Sequence, residues 1–320
     1  MLTTLENTVN LINEGKVLHI AGDDSLLSKL PKGNWIGGTT PYFISAEGGL
    51  LTRDRLFINE LDCAEEVRVA AYGKYNVFQL VEDCYDNGLN MIIMPYGAEV
   101  TAKYAKEAPD VEELLMHPTI GWISGFELGT DGVAKVYDVT TGTAYTDRAV
   151  VMFLKLPENK TAMVNIVNIF EDDKTDPVIT FPDNALDVSK CFVNGQEVVF
   201  ADYIQKKGIN TQMPLVSDYN GVYFNISVKS IENGRVGFYA PIFKGYEYRF
   251  ATPVSDYASK FKEKIEKTGA REPVFSCNCI LNYLYGGLEG KTLPPYTGPV
   301  TFGEIAYHLI NQTLVYCEIE

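Results

Sequence analysis

Histidine and basic side chains are scarce in this sequence. Three His stand among 320 residues, and 27 Lys and Arg face 42 Asp and Glu, for a formal net charge of −15. The densest basic group, Lys260, Lys262, Lys264 and Lys267, is interleaved with Glu263 and Glu266 and reads as a solvated helical face. Nucleic acid and anionic membrane both require a Lys/Arg footprint, so neither is expected as a partner. No stretch approaches 18 uninterrupted apolar residues, which excludes a membrane-spanning helix at this level. The opening residues, Met1 to Glu6, carry neither a basic n-region nor an apolar h-region, so a cytoplasmic protein without a secretory leader is expected. The six Cys are scattered apart from Cys277 and Cys279, as suits free thiols in a reducing compartment and not a disulfide framework.

Several chemical signatures are also missing. There is no Gly-x-x-x-x-Gly-Lys-Ser/Thr loop and no Gly-x-Gly-x-x-Gly. Gly121-Trp122-Ile123-Ser124-Gly125 places its serine one position too late for a nucleophile elbow. Asp172, Asp173 and Asp176 lack the Gly and terminal Glu of a calcium loop. Cys277 and Cys279 with His308 form only a weakly spaced zinc set, and two small residues lining a pocket are the plainer reading. No metal and no cofactor are therefore expected.

What is present is apolar and aromatic. Hydrophobic residues make up 46% of the chain, with 20 Tyr and 16 Phe, enough for a large core and for an ordered fold. The first 95 residues alternate strand-like and helix-like patterns. Leu5, Val9 and Ile12 recur at helical spacing before Gly15. Short apolar runs at 16–21, 35–39, 56–60, 67–72 and 91–94 read as buried strands. From residue 119 the pattern turns to closely spaced strands at 120–126, 133–139, 150–156 and 163–170, with Asp131-Gly132 as a hairpin turn signal. An acidic, Pro-containing stretch at 171–182 suggests a junction. The second half reads as strands at 188–193, 222–228, 235–239, 246–251, 273–279, 300–305 and 313–319, with a helix over 256–268. No fixed-period repeat is visible, although the two halves could be distant copies. The fold class expected is α/β (α+β), with two mixed or antiparallel-sheet halves, helices on their outer faces, and domains at 1–175 and 183–320.

Two segments are candidates for a ligand site. Gly37 and Gly38 allow close backbone approach, and Thr39 and Thr40 follow with N–H and hydroxyl donors suited to a carboxylate. Gly303 precedes Glu304, a carboxylate inside an otherwise apolar run that needs partners or a shifted pKa and could hold an amine. Cys277 and Gln312 would complete the wall. A cysteine-dependent hydrolase or transferase using Cys277 or Cys279 with His308 as base is an alternative. A haem sensor using His19, His117 or His308 is another.

The order of several short motifs is similar to that of the FIST (F-box and intracellular signal transduction) sensory domain, in its C-terminal part. These are Val193-Asn194-Gly195-Gln196-Glu197 with Tyr203, Arg235-Val236-Gly237-Phe238-Tyr239 followed by 243–249, Phe275-Ser276-Cys277, Thr301-Phe302-Gly303-Glu304-Ile305, and Asn311-Gln312-Thr313. The resemblance covers roughly residues 188–320. In the first half, Ile36-Gly37-Gly38-Thr39-Thr40 resembles that family's Gly-Cys-Thr-Thr turn, with Gly38 in place of Cys, and the usual following Gly-Glu is missing. The resemblance implies a stand-alone intracellular sensory domain that binds a small molecule such as an amino acid and signals through a separate protein partner.

Overall fold

The apolar run at 91–94 shows how the chain is organised. In the computed structural model, Met91 and Ile93 point into a central core while Ile92 and Met94 point outward beneath helices. Both faces of the strand are covered here, so residues 91–94 are all apolar. The structure describes residues 1–139, 141–219, 222–268 and 272–320.

Three six-stranded mixed sheets share one plan. The first runs Leu2–Thr3, Leu56–Glu60, Val17–Gly22, Asn34–Thr39, Val136–Asp138, Thr143–Tyr145. The second runs Glu66–Tyr72, Ala149–Lys155, Gly88–Pro95, Thr119–Ser124, Glu304–Ala306, His308–Ile310. The third runs Ala162–Val167, Leu314–Ile319, Phe275–Cys279, Gly298–Thr301, Tyr42–Ser45, Gly48–Leu51. In each, the third and fourth strands form a parallel pair and the flanking strands are antiparallel to them. The last two strands of each sheet are a hairpin donated by another part of the chain. Residues 2–60 give their hairpin to the third sheet, 66–155 to the first, and 162–319 to the second. The chain is thus three cyclically interlocked copies of one β/α unit.

The inner faces of the three sheets enclose the core. Ala21, Ile36 and Phe57 meet Met91, Ile93, Trp122 and Met152, and these meet Phe275, Cys277 and Val315. Gly38 is required here by close approach: a Cβ at that position would lie 2.7 Å from Ile93 Cγ2 and 2.7 Å from Trp122 Cη2. Helices cover the outer faces, as the patterning predicts. Ile12 of Leu5–Asn13 packs on Leu18, Ile20 and Trp35 of the first sheet. Val100 and Tyr104 of Glu99–Glu107 cover the second. Phe261 and Ile265 of Tyr257–Thr268 cover the third. Among the described residues no helix is long and apolar enough to cross a membrane.

The stretch 171–182 leads into a lobe inserted in the third unit. Three small sheets and the helix Phe200–Lys207 surround their own core of Ile179, Phe200, Leu215, Phe238 and Tyr248. The three large sheets each draw strands from distant parts of the chain, and two of them join strands from before residue 175 to strands from after residue 183.

Two expectations are corrected. Residues 120–126 and 133–139 are not a hairpin about Asp131-Gly132, because Thr119–Ser124 and Val136–Asp138 belong to different sheets. The run 300–305 is not one strand: Gly298–Thr301 ends in the third sheet and Glu304–Ala306 begins in the second.

Candidate functional site

Each unit's second parallel strand ends where the chain leaves its own sheet for another, and the three exits meet. The parallel pairs end at Gly22 and Thr39, Pro95 and Ser124, and Cys279 and Thr301. Thr40 Oγ1 donates to the Val300 carbonyl at 2.7 Å. The Gly125 N–H donates to the Thr39 carbonyl at 2.7 Å, the Phe302 N–H to Ile123 at 3.0 Å, and the Ile123 N–H to Gly303 at 2.9 Å. A Cβ at Gly125 would lie 2.1 Å from the Phe302 ring, so glycine alone lets these two exits touch. Carboxyl ends of parallel strands that diverge into different neighbours leave a crevice between them, the usual ligand position in open α/β sheets.

Three cavities surround this junction, one beside each unit's β-to-α crossover. The cavity beside Asp23 and Asp24, of about 340 Å³, is bounded by Thr39, Thr40, Arg53 and Lys135. Its charges are paired: Arg53 with Asp23 at 2.8 Å and Glu127 at 3.5 Å, and Lys135 with Asp24 at 2.8 Å. The cavity beside Tyr96 and Ala98, of about 240 Å³, is walled by Ile123, Phe302, Leu309, Phe238 and Tyr239, with Lys229 at its margin. The cavity beside Cys279 and Ile280, of about 190 Å³, is walled by Tyr96, Phe126, Tyr239, Tyr285, Phe302 and Asn311. Tyr96, Tyr239 and Phe302 border both of the last two, and Tyr239 comes from the inserted lobe.

Behind this aromatic wall lies a buried polar seam. Glu304 is fully buried. One carboxyl oxygen, Oε2, accepts from the Thr313 N–H at 3.2 Å and from Thr313 Oγ1 at 2.9 Å. The other, Oε1, lies 3.2 Å from Thr301 Oγ1, which itself reaches the Gly303 carbonyl at 3.1 Å. Burial pushes the Glu304 carboxyl up to about 8, so the neutral acid prevails at pH 7. The Thr301 hydroxyl is the donor toward Glu304 Oε1 and toward the Gly303 carbonyl. Burial, and after it the nearby Glu304 carboxyl, push the Cys277 and Cys279 thiols well above the ordinary cysteine range. Cys277 Sγ points to the Gly121 carbonyl at 3.7 Å.

The seam continues into the inserted lobe. Asn311 Oδ1 accepts from the Ser227 N–H at 3.0 Å and from Ser227 Oγ at 2.8 Å. Gln312, held at φ 51°, donates through Nε2 to the Gln212 carbonyl at 3.1 Å, and its own carbonyl accepts from Asn225 Nδ2 at 3.1 Å. Asn225 and Asn168 exchange amide bonds at 2.8 and 3.1 Å.

The predicted residues fall in two adjoining groups. Gly303, Glu304 and Gln312 share the seam, with Cys277 on its core side. Gly37, Gly38, Thr39 and Thr40 lie on the neighbouring strand and its exit, joined to the first group through Thr40 and Val300. Thr39 and Thr40 border the polar cavity, but their donors are internally engaged. The Thr39 N–H binds Lys135 O at 3.0 Å, Thr39 Oγ1 binds Gly125 O at 2.7 Å, and the Thr40 N–H binds Gly22 O at 3.0 Å. Cβ atoms at Gly37 and Gly38 would meet protein atoms. Glu304 borders none of the described cavities and stands one layer behind Cys279.

His308 faces the Phe224 ring and a separate cavity beside Val164 and Asn168, with its imidazole lowered by burial to about 4. His19 lies in the central core. Its Nε2 accepts from Trp122 Nε1 at 2.8 Å, its ring abuts Phe275, and burial lowers it to about 3. Phe126, Tyr239, Tyr285, Phe302 and Asn311 also line the crevice without standing among the expected ligand residues. Asn311, Phe302 and Tyr239 lie in the FIST-like motifs, which was the available signal; Phe126 and Tyr285 had none among 36 Tyr and Phe.

The architecture is that of a pseudo-threefold α/β protein with an aromatic crevice at the joined carboxyl ends of its parallel strands. The chain belongs to DUF6976, a family of unknown function, which it matches over residues 3–320. No curated protein matches it.

Proposed function

We propose that this chain is an intracellular small-molecule-binding protein of sensory type, whose ligand occupies the crevice at the strand exits and whose output passes through a separate protein partner. The observation that carries the reading is the meeting of three carboxyl-terminal strand ends beside two adjoining aromatic cavities. The motif order resembling the FIST domain supports the same reading. The inserted lobe adds a means of response. It contributes Tyr239 to the cavity wall and docks on the sheets through the Ser227, Asn311 and Gln312 bonds. A ligand that binds one docking position of the lobe better than another would shift the population between them.

Thiol chemistry is the weaker reading, because Cys277 and Cys279 are held as neutral thiols beside an acid. The paired charges of the polar cavity and the internally bonded Thr39 and Thr40 make the aromatic cavities the better ligand position than that cavity.

The test is a thermal-shift screen of the full chain against amino acids, neutral aromatic compounds and nucleotides. A ligand that binds only the folded state raises the melting temperature in proportion to ln(1 + [L]/Kd). A dose-dependent rise is expected with at least one small apolar or amphipathic compound. Unchanged melting across the panel would count against the binding-protein reading.

A further inference from the structure

Among the described residues, Lys229 is the one charged side chain bordering the 240 Å³ cavity beside Tyr96 and Ala98. It extends from the strand Val228–Glu232 of the inserted lobe and is exposed. Its Nζ lies 5.5 Å from the centre of the Tyr96 ring, which belongs to the same wall. Among the described residues it makes no ion pair. The other two cavities at the junction differ. In the polar one Arg53 and Lys135 are each held by carboxylates, and the one beside Cys279 has no charged residue in its wall. Only the cavity beside Tyr96 thus joins an apolar hollow to a cation without a counter-charge. The hollow is walled by Ile123 and Leu309 of the second sheet, by Phe302, and by Phe238 of the lobe. An apolar body gains by leaving water there. A charged head at exposed Lys229 keeps part of its hydration, so the cost of burying a charge is avoided. The volume is below the range usual for drug-sized ligands.

Resting on the binding-protein reading above, we propose that this cavity takes a small monocarboxylate with an apolar body, of the size of phenylacetate or octanoate, whose carboxylate pairs with Lys229 at the rim. The apolar walls bury the body, and the ammonium selects for the anion. Lys229 and Phe238 belong to the inserted lobe, Ile123 and Leu309 to the second sheet. One ligand touches both, so its binding favours the lobe position that brings the two together.

The experiment is an NMR titration of the full-length, nitrogen-labelled protein at low salt with phenylacetate, octanoate, phenylacetamide and phenethylamine. At least one of the two acids is expected to bind saturably and to move the backbone amide signals of Gly97, Ala98, Ile123 and Leu309. Phenylacetamide, the neutral counterpart of phenylacetate, is expected to bind about fivefold more weakly than that acid, the strength of an exposed ion pair, and the phenethylamine cation more weakly still. Lys229→Gln should weaken phenylacetate about fivefold and leave phenylacetamide unchanged. If that variant does not fold, the preference of the unaltered protein for the acid over the amide, and its shrinkage at high salt, decide the matter. Phenylacetamide binding as tightly as phenylacetate would overturn the proposal. So would a Lys229→Gln protein that keeps the preference for the acid, or shifts gathered away from this cavity, although the wider reading of a binding protein would then stand. Saturable binding by neither acid would overturn this proposal. If the thermal-shift panel were silent as well, the binding-protein reading would fall with it.

Discussion

Replacing Glu304 by Gln should change how stability depends on pH. The carboxyl rises from an ordinary 4.5 to about 8 in the folded protein, chiefly through burial. The folded state therefore holds a proton that the unfolded state releases. The stabilisation is fully present below the unfolded value and is lost as pH rises through the folded one. Relative to the ionised form, it amounts to about 3 kcal/mol at pH 6 and under about 1 kcal/mol at pH 8. Gln cannot titrate, yet its carbonyl can accept from Thr313 as Oε2 does. Other groups also titrate in this range: burial lowers the Met1 amino group to about 6 and keeps His19 and His308 neutral. They do so in both proteins and cancel in the difference. Urea unfolding of the two proteins at pH 6, 7 and 8 gives that difference directly. The unaltered protein should lose about 2 kcal/mol relative to Glu304→Gln between pH 6 and pH 8. A difference that stays constant across the range would refute the assignment of a buried neutral acid.

Further perturbations probe the fold around the crevice. Gly38→Ala forces a methyl group against Ile93 and Trp122 and should cost about 1–3 kcal/mol in urea unfolding; a neutral effect would mean that the sheets are not packed as described. Trp122→Phe removes the donor to His19 Nε2 and should destabilise by about 1–3 kcal/mol, with His19 becoming easier to protonate in an NMR titration. Iodoacetamide at neutral pH should label the half-buried Cys63 and Cys84 before the buried Cys191, Cys277, Cys279 and Cys317, as read by peptide mass mapping. Early labelling of Cys277 or Cys279 would instead favour the thiol enzyme.

Much of the local structure was legible because local rules govern it. The helix at Leu5–Asn13 and the strands at Val17–Gly22, Asn34–Thr39 and Leu56–Glu60 follow from periodicity and from Gly15. Asn194-Gly195 and Asn233-Gly234 turn hairpins with positive φ at both positions, as such pairs do. The threefold plan was hidden for a different reason. At Thr40, Gly125 and Phe302-Gly303 the chain changes sheet within one to three residues or through an irregular loop, and hydrophobic patterning does not record which sheet a strand joins. The inserted lobe also stretches the third unit to more than twice the length of the first, which removes any constant period. Of the candidate site, Glu304 stood out because a carboxylate inside an apolar run demands an explanation. The aromatic wall did not, since Phe126, Phe302 and Tyr239 come together only through strand exchange and lobe docking.

The central claim is that a small molecule binds where the three strand exits meet, and mapping backbone amide shifts with a compound that raises the melting temperature tests it most directly. Shifts concentrated at residues 96–98, 126–128, 279–285, 302 and 311 are predicted. Shifts gathered instead around His308 and 164–168, or spread over the outer helices with the crevice unchanged, would contradict it.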